Sequence, residues 1–320
     1  MVEVTEMYKN VPEKGMLAYA APSLFQPHHA RQAIRDAHEK KIGPLLGYYA
    51  GLSSVPITRM LAPMNYDCVW VDWEHTSCNV ETMTEMVHQA IFMSQGHTIP
   101  WVRVPGHDHA AIGYALDAGA SIVVPQVDTV KQAKHVVSAA KFGAKIGGSR
   151  SAPPFRLIPG LTDQSYHPHK DVFAAVNDQA AIMIQIESLE AINNLDDILT
   201  EVGEHIDIVW LGSLDARISM GLPAQFGSGG EPEWLAARDK FFQVMEKHDK
   251  PYGGFSIGSA PFGTLDTIRQ ASERMSFMVV SGDVLHLMEM QKDLADARSV
   301  AGDFVKGSNG KVAVNGSNGV

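Results

Sequence analysis

The chain holds two cysteines, Cys68 and Cys78, too few for a disulfide framework. No secretory apolar segment opens it, so an intracellular, cytoplasmic protein is expected. No uninterrupted apolar run approaches the roughly 20 residues that a membrane-spanning helix needs. Cationic charge is scarce as well: 26 Lys and Arg stand against 36 Asp and Glu, a formal net charge of −10. Without a basic stripe to neutralise phosphates, a nucleic-acid partner is not expected. The 320 residues can bury one large core, and work on a small molecule is the expected role.

Short β-branched runs alternate with segments of helical periodicity, the pattern of βα units around a parallel sheet. The runs are Pro44-Leu-Leu-Gly-Tyr-Tyr, Cys68-Val-Trp-Val-Asp, Pro100-Trp-Val-Arg-Val, Ser121-Ile-Val-Val-Pro, Ala181 to Ile186, Ile206 to Gly212, Tyr252 to Ile257 and Ser276-Phe-Met-Val-Val-Ser. They predict an α/β fold, a (β/α)8 TIM barrel over residues 41–304. Met83, Met86, Val87, Ala90 and Ile91 share one helical face; so do Val130, Ala133, Val136, Val137 and Ala140, and Ile192, Leu195, Ile198, Leu199 and Val202. These read as core stripes, as do Phe241, Phe242 and Met245.

Residues 1–40 are expected to form an N-terminal extension, with Ala30, Ile34 and Ala37 on a short helix that plugs the barrel's bottom. Residues 305–320, which repeat Asn-Gly and Ser-Asn, predict a disordered tail. The connection from Phe142 to Val172 is too long for an ordinary connector. It is expected to be a wall or lid over the site, bringing Arg156, Tyr166, His167 and His169 towards a bulky substrate.

Glu187 and Asp215 each follow an apolar run. If those runs are neighbouring barrel strands, the two carboxylates meet at the face where such barrels do chemistry, as oxygen ligands for one divalent cation. The plainer alternative is that they cap the helices that follow. Asp72-Trp-Glu-His ends the second run, where a carboxylate three residues before His75 can orient the imidazole as a general base; the alternative is an acidic helix N-terminus. Arg103, flanked by apolar residues, must meet a carboxylate, a ligand or both, and Glu74 or Asp117 would make a structural pair. Their joint placement on one rim favours a site over independent caps.

Val71-Asp-Trp-Glu-His, Val102-Arg-Val-Pro, Ala115-Leu-Asp-Ala-Gly-Ala-Ser-Ile-Val-Val-Pro-Gln-Val, Ile184-Gln-Ile-Glu-Ser and Leu211-Gly-Ser-Leu-Asp-Ala resemble, in order and spacing, the signature segments of the HpcH/HpaI aldolase family. The resemblance spans Pro44 to Met288. It implies a class II, metal-dependent pyruvate aldolase barrel, closest in character to the fungal branch that includes macrophomate synthase, which decarboxylates oxaloacetate and adds the enolate to a 2-pyrone. It further implies Glu187 and Asp215 as ligands of Mg²⁺, with Mn²⁺ or Co²⁺ as substitutes. Arg103 would stabilise the enolate, and His75 with Asp72 would serve as acid/base. The backbone N–H groups of Leu214 and Asp215 would hold a 2-oxo acid's carboxylate, with Ser213 and Gln185 as further substrate contacts. Family members also build hexamers, dimers of trimers, so Val284, Leu285, Leu287 and Met288 are expected either to cross to a neighbour or to pack on their own barrel.

The chain departs from the family where Gly212-Ser-Leu-Asp-Ala replaces Gly-Pro-x-Asp-Leu, and where Ala144-Lys-Ile-Gly-Gly-Ser-Arg-Ser replaces Pro-Pro-x-Gly-x-Arg-Gly, although Arg150 still aligns. Two activities are therefore compared: oxaloacetate decarboxylation with addition to an acceptor, and cleavage of 4-hydroxy-2-oxo acids such as 4-hydroxy-2-oxoheptanedioate. A zinc hydrolase built on His107 and His109 lacks a third ligand at a matching strand end. A non-catalytic, metabolite-binding barrel would be expected to lose one of the five matched side chains, and none is lost.

Overall fold

The computed structural model describes residues 14–23, 26–225, 229–259 and 262–302. The expected tail at 305–320 lies outside them. Eight strands form one closed parallel barrel in sequence order: β1 (Leu45–Ala50), β2 (Cys68–Asp72), β3 (Ile99–Arg103), β4 (Ser121–Val124), β5 (Ile182–Ile186), β6 (Ile208–Leu211), β7 (Tyr252–Phe255) and β8 (Phe277–Gly282), with β8 paired to β1. The barrel expected from the alternating runs is thus the observed fold. Among the described residues no helix is long and apolar enough to cross a membrane.

The helices are α1 (Ala30–His38), α2 (Val55–Leu61), α3 (Val80–Met93), α4 (His109–Asp117), α5 (Val130–Ala140), α6 (Val172–Asn177), α7 (Leu189–Val202), α8 (Ser213–Ser219), α9 (Pro232–Lys247), α10 (Leu265–Arg274) and α11 (Asp283–Gly302). Short polar residues start most of the barrel helices. Asn79, Asp108 and Ser188 accept from Thr82, Ala111 and Ala191 N–H, and Thr129 forms a capping box with Gln132. The cap of α7 is therefore Ser188 and that of α3 is Asn79, which leaves Glu187, Asp72 and Glu74 for other work.

Period-two alternation sorts the strand side chains into two layers. Val69, Val71, Val102, Ile122, Ile184 and Val209 point outward into a core shared with the helix stripes. Leu45, Cys68, Trp70, Ile99, Trp101, Met183, Ile208, Trp210 and Phe277 fill the interior. Trp70 and Trp101 are fully buried, and each such side chain contributes on the order of 3 kcal/mol. At the strands' C-terminal ends the interior positions turn polar, where Asp72, Arg103 and Gln185 stand.

Helix α1 packs at the opposite end, with Ala30, Ala33, Ile34 and Ala37 on the inner cluster. Arg31 fixes it there: Nε donates to Asp207 Oδ1 at 2.7 Å, and its backbone N–H donates to Gln179 O at 3.1 Å.

The long connection is not a lid. It leaves the end of α5 and enters β5 through α6, and a helix-to-strand connection lies at the end of a barrel where strands begin, away from the catalytic face. Its contacts agree. Gln164 O accepts from Gln26 in the N-terminal segment at 3.1 Å, Arg150 pairs with Asp117 at the C-terminal end of α4 at 2.6 Å, and Arg156 is fully buried. Arg156, Tyr166, His167 and His169 therefore stand away from the catalytic mouth.

Helix α11 does not pack on its own barrel beyond its first turns. Val284 and Leu285 are half-buried, but Leu287, Met288, Met290 and Leu294 are each about half exposed.

Candidate active site

Asp72 and Arg103 end adjacent strands and are register partners, so both side chains turn into the barrel mouth. Arg103 donates from Nε to Asp72 Oδ1 at 3.0 Å and from Nη2 to Oδ2 at 2.5 Å. The Tyr49 hydroxyl donates to Oδ2 at 2.5 Å and accepts from Arg103 Nη2 at 3.3 Å. Burial alone pushes the Asp72 carboxyl up, but Arg103 and the Tyr49 hydroxyl more than offset it and hold it below the usual carboxylate range.

Asp72 does not orient the His75 imidazole, contrary to expectation. Its Oδ1 accepts the backbone N–H of Glu74 at 3.0 Å and of His75 at 3.4 Å, which makes a tight turn after β2. The physical reason is reach: the carboxylate stays inside the barrel with Arg103, while His75 lies outside it, 65% exposed. The imidazole's carboxylate neighbour is Glu74, with Nε2 to Oε2 at 3.5 Å, and Glu74 Oε2 also lies 3.3 Å from Arg103 Nε. Burial, with the charges of Asp72 and Asp215, raises the Glu74 carboxyl against the pull of Arg103 and His75.

Glu187 follows β5 and turns inward. Its Oε1 accepts from Gln185 Nε2 at 3.0 Å and its Oε2 from the Gln126 N–H at 3.0 Å. Gln126 takes a left-handed conformation, φ 50°, uncommon for a residue with a side chain, and this strained backbone presents the N–H. Gln185 Nε2 is thus engaged by Glu187, whereas its buried Oε1 has no partner among the described residues. Beneath the carboxylate lies Gly212, where a Cβ would stand 2.5 Å from Glu187 Cγ. Burial is the main force that pushes Glu187 up to about 7; the Gln126 N–H opposes it, the charge of Asp215 adds to it, Arg103 opposes and Glu74 adds.

Asp215 is exposed in the first turn of α8, close enough for its charge to act on both Glu187 and Glu74. Ser213 and Leu214 precede it, and first-turn N–H groups of a helix lack intrahelical acceptors. The strand-end residues and this turn converge: Arg103, Asp72, Glu187 and Asp215 share one mouth, and His75 stands at its rim.

Several participants are not foreseeable from the sequence. Tyr49 carries no local signal, and Gln126, although it falls within a quoted signature segment, shows no role there; the register of β1 beside β2 and the backbone turn after β4 bring them in. Trp70, Trp210 and Phe255 form an aromatic floor, with Trp70 and Trp210 edge-to-face at 4.8 Å and Phe255 packed on both. Arg103 lies 5.6 Å over the Trp70 ring. His107 and His109 do not pair as ligands: His107 Nε2 donates to Pro125 O at 2.7 Å and His109 lies against His135.

Four carboxylates, Asp72, Glu74, Glu187 and Asp215, share this mouth with one guanidinium that Asp72 already engages. Two of them, Glu187 and Asp215, suit a hard divalent cation, and the missing Cβ of Gly212 makes room for the first. Among the described residues no group of three or more His, Cys, Asp or Glu side chains is placed to hold a metal. Two carboxylates with water and substrate oxygens are a common arrangement for Mg²⁺.

The sequence model of HpcH/HpaI aldolase/citrate lyase matches residues 45–276. A 4-hydroxy-2-oxo-heptane-1,7-dioate aldolase of Shigella sonnei is 31% identical over 65% of this chain and 75% of its own. A 2-keto-3-deoxy-L-rhamnonate aldolase of Klebsiella pneumoniae is 30% identical over 57% of this chain and 64% of its own. Among solved structures, macrophomate synthase superimposes with a TM-score of 0.79 at 30% identity, covering 90% of this chain and 95% of that one. The protein is an enzyme of the carbon–carbon lyase class, and the chain belongs to the HpcH/HpaI aldolase/citrate lyase family.

Proposed function

We propose that the protein forms a pyruvate enolate at this mouth by decarboxylating oxaloacetate and passes the enolate to an acceptor such as a 2-pyrone. The observation that carries this reading is the two-point grip of Asp72 on Arg103 beside Glu187 and Asp215, which fixes positive charge where an oxyanion would develop. The extent of the likeness to macrophomate synthase favours this substrate. The names of the curated relatives favour a second: cleavage of a 4-hydroxy-2-oxo acid to pyruvate and an aldehyde.

The family is generally dependent on a divalent metal. Glu187 and Asp215 would hold it, and a bound Mg²⁺, or Mn²⁺ or Co²⁺ in its place, supplies Lewis-acid charge for the keto oxygen of a 2-oxo acid. Arg103 faces the same oxygen. In decarboxylation the C3–C4 bond breaks, CO₂ leaves and the electron pair enters the enolate. In the aldol cleavage His75, charge-balanced by Glu74, takes the proton of the C4 hydroxyl as the same bond breaks and an aldehyde leaves. Both routes end at one enolate. The N–H groups of Ser213, Leu214 and Asp215 receive the substrate carboxylate. The exposed apolar residues of α11 support assembly with further copies of the chain, a hexamer made as a dimer of trimers.

The test incubates the protein with Mg²⁺ and oxaloacetate, with and without aldehydes and pyrones, and identifies products by mass. CO₂ release that EDTA abolishes and Arg103→Ala nearly eliminates is expected. Inert oxaloacetate with cleavage of 4-hydroxy-2-oxo acids gives the second reading the site. Failure of both, with no metal-dependent exchange of pyruvate methyl protons in D₂O, sinks the enolate proposal.

A further inference from the structure

Tyr49 stands in a slot that its neighbours leave for it. A Cβ at Gly51 would meet Tyr49 Cε1 at 2.6 Å, and one at Gly282 would meet Tyr49 O at 3.0 Å and Cβ at 3.2 Å. Trp70 and Phe255 close the sides, both edge-to-face, at 6.0 and 5.8 Å. Packing thus fixes the ring, and the ring fixes its hydroxyl between the two members of the ion pair, 2.5 Å from Asp72 Oδ2 and 3.3 Å from Arg103 Nη2.

The donors of the guanidinium can then be accounted for. Asp72 occupies the Nε–Nη2 edge, Glu74 Oε2 also lies 3.3 Å from Nε, and the Tyr49 oxygen takes a further bond from Nη2. Among the described residues nothing accepts from Nη1. Without the hydroxyl, Asp72 Oδ2 would lose one of its donors and Nη2 would regain a free proton, so the pair would be less tightly held and the guanidinium could tilt away from the direction in which Nη1 now points.

We propose that Tyr49 is a positioning residue for Arg103: its hydroxyl locks the Arg103–Asp72 pair so that Nη1 alone is left to meet the substrate's oxyanion. The inference rests on the enolate reading of Arg103. Tyr49 does not itself move a proton in this account; burial, with the Asp72 charge, raises its hydroxyl well above the ordinary phenol range, so it stays protonated.

The test uses the Mg²⁺-loaded full chain and pyruvate, following exchange of the methyl protons in D₂O by NMR, which reads enolate formation whatever the acceptor. Tyr49→Phe keeps the ring and removes only the hydroxyl. It is expected to lower kcat for exchange by roughly tenfold to thirtyfold, the scale of a lost charge-assisted hydrogen bond, with KM within about twofold of the parent. Gly51→Ala, whose Cβ would crowd the Tyr49 ring on one side and Val284 at the start of α11 on the other while leaving the hydroxyl intact, is expected to lower kcat likewise. Circular dichroism and Tm identify a variant that has lost its fold; should Gly51→Ala be one, Tyr49→Phe decides alone. Parental kcat in Tyr49→Phe, with Arg103→Ala inactive, overturns the role of Tyr49 and leaves that of Arg103. Parental exchange in Arg103→Ala overturns both. A matched rise in KM at constant kcat would also overturn the positioning role, since it would place the hydroxyl in ground-state binding.

Discussion

Arg103 and Asp72 face each other across adjacent strand ends and share two hydrogen bonds, 3.0 and 2.5 Å long, with the Asp72 side chain wholly enclosed. Such a pair ties stability to function. Arg103→Met strands a buried carboxylate and is expected to cost roughly 3–5 kcal/mol of unfolding free energy. Adding Asp72→Asn removes the stranded charge and should return at least about 1 kcal/mol of that loss. Activity should return in neither. Urea unfolding of the two single variants and the double variant measures the coupling, and strictly additive losses would refute it.

Gly212 gives a second, independent prediction. Its backbone, φ −76° and ψ 77°, is open to any residue, so alanine is excluded only by the Glu187 carboxylate that fills the space of a Cβ. Gly212→Ala should therefore push Glu187 aside with little change in Tm. Affinity for Mn²⁺, read by calorimetry, is expected to fall at least about tenfold. An unchanged affinity would remove Glu187 from the proposed ligand set.

Much of this is legible in the sequence because strand ends are legible. Asp72, Arg103 and Glu187 each follow a buried run, and barrel geometry then puts all of them at one mouth. The helix stripes and the plug at Ala30, Ile34 and Ala37 follow from periodicity in the same way. Partnership is not legible. Asp-x-x-His suggests a dyad, but a side chain at an inward strand position cannot follow the chain out of the barrel to His75, and the neighbouring strand offers Arg103 instead. The expected lid fails for a topological reason: the long segment connects a helix to a strand, and its length hides that direction. Tyr49 is invisible in the sequence, since its position opposite Gly282 and beside Trp70 depends on barrel closure.

Acid should loosen the barrel's closed end. His28 is buried, and its Nε2 donates to Gly96 O at 2.9 Å, which leaves Nδ1 unprotonated and without a partner among the described residues. Burial, against the pull of that carbonyl, lowers its pKa from 6.5 to about 4, and His29 is lowered to about 4 by burial and the charge of His28. Between these values the unfolded chain binds more protons than the folded one, so stability is full above about pH 6.5 and is lost as pH falls through 4. The loss for His28 is on the order of 3 kcal/mol. His28→Gln, compared with the parent by urea unfolding at neutral and acidic pH, should flatten part of the slope. Parallel profiles would show that His28 contributes nothing to it.

The terminal helix offers the last test. A helix twenty residues long, with Leu287, Met288, Met290 and Leu294 about half exposed, leaves more apolar surface in water than a soluble monomer usually maintains. Its N-terminus is nonetheless firmly placed: Asp283 accepts the N–H groups of Gly51 at 2.8 Å and Leu52 at 3.1 Å, so the helix leaves the barrel in a fixed direction. A rigid, apolar projection of this kind is suited to lie on another copy of the chain, and closed point-group symmetry would then bury every such helix. Sedimentation should give a mass near six chains for the parent. Leu287→Glu combined with Met290→Glu should shift it to a smaller species while Tm, set by the barrel, falls by only a few degrees. A parent that sediments as a monomer at micromolar concentration would refute the assembly, and an unchanged mass for the double variant would free these residues from it.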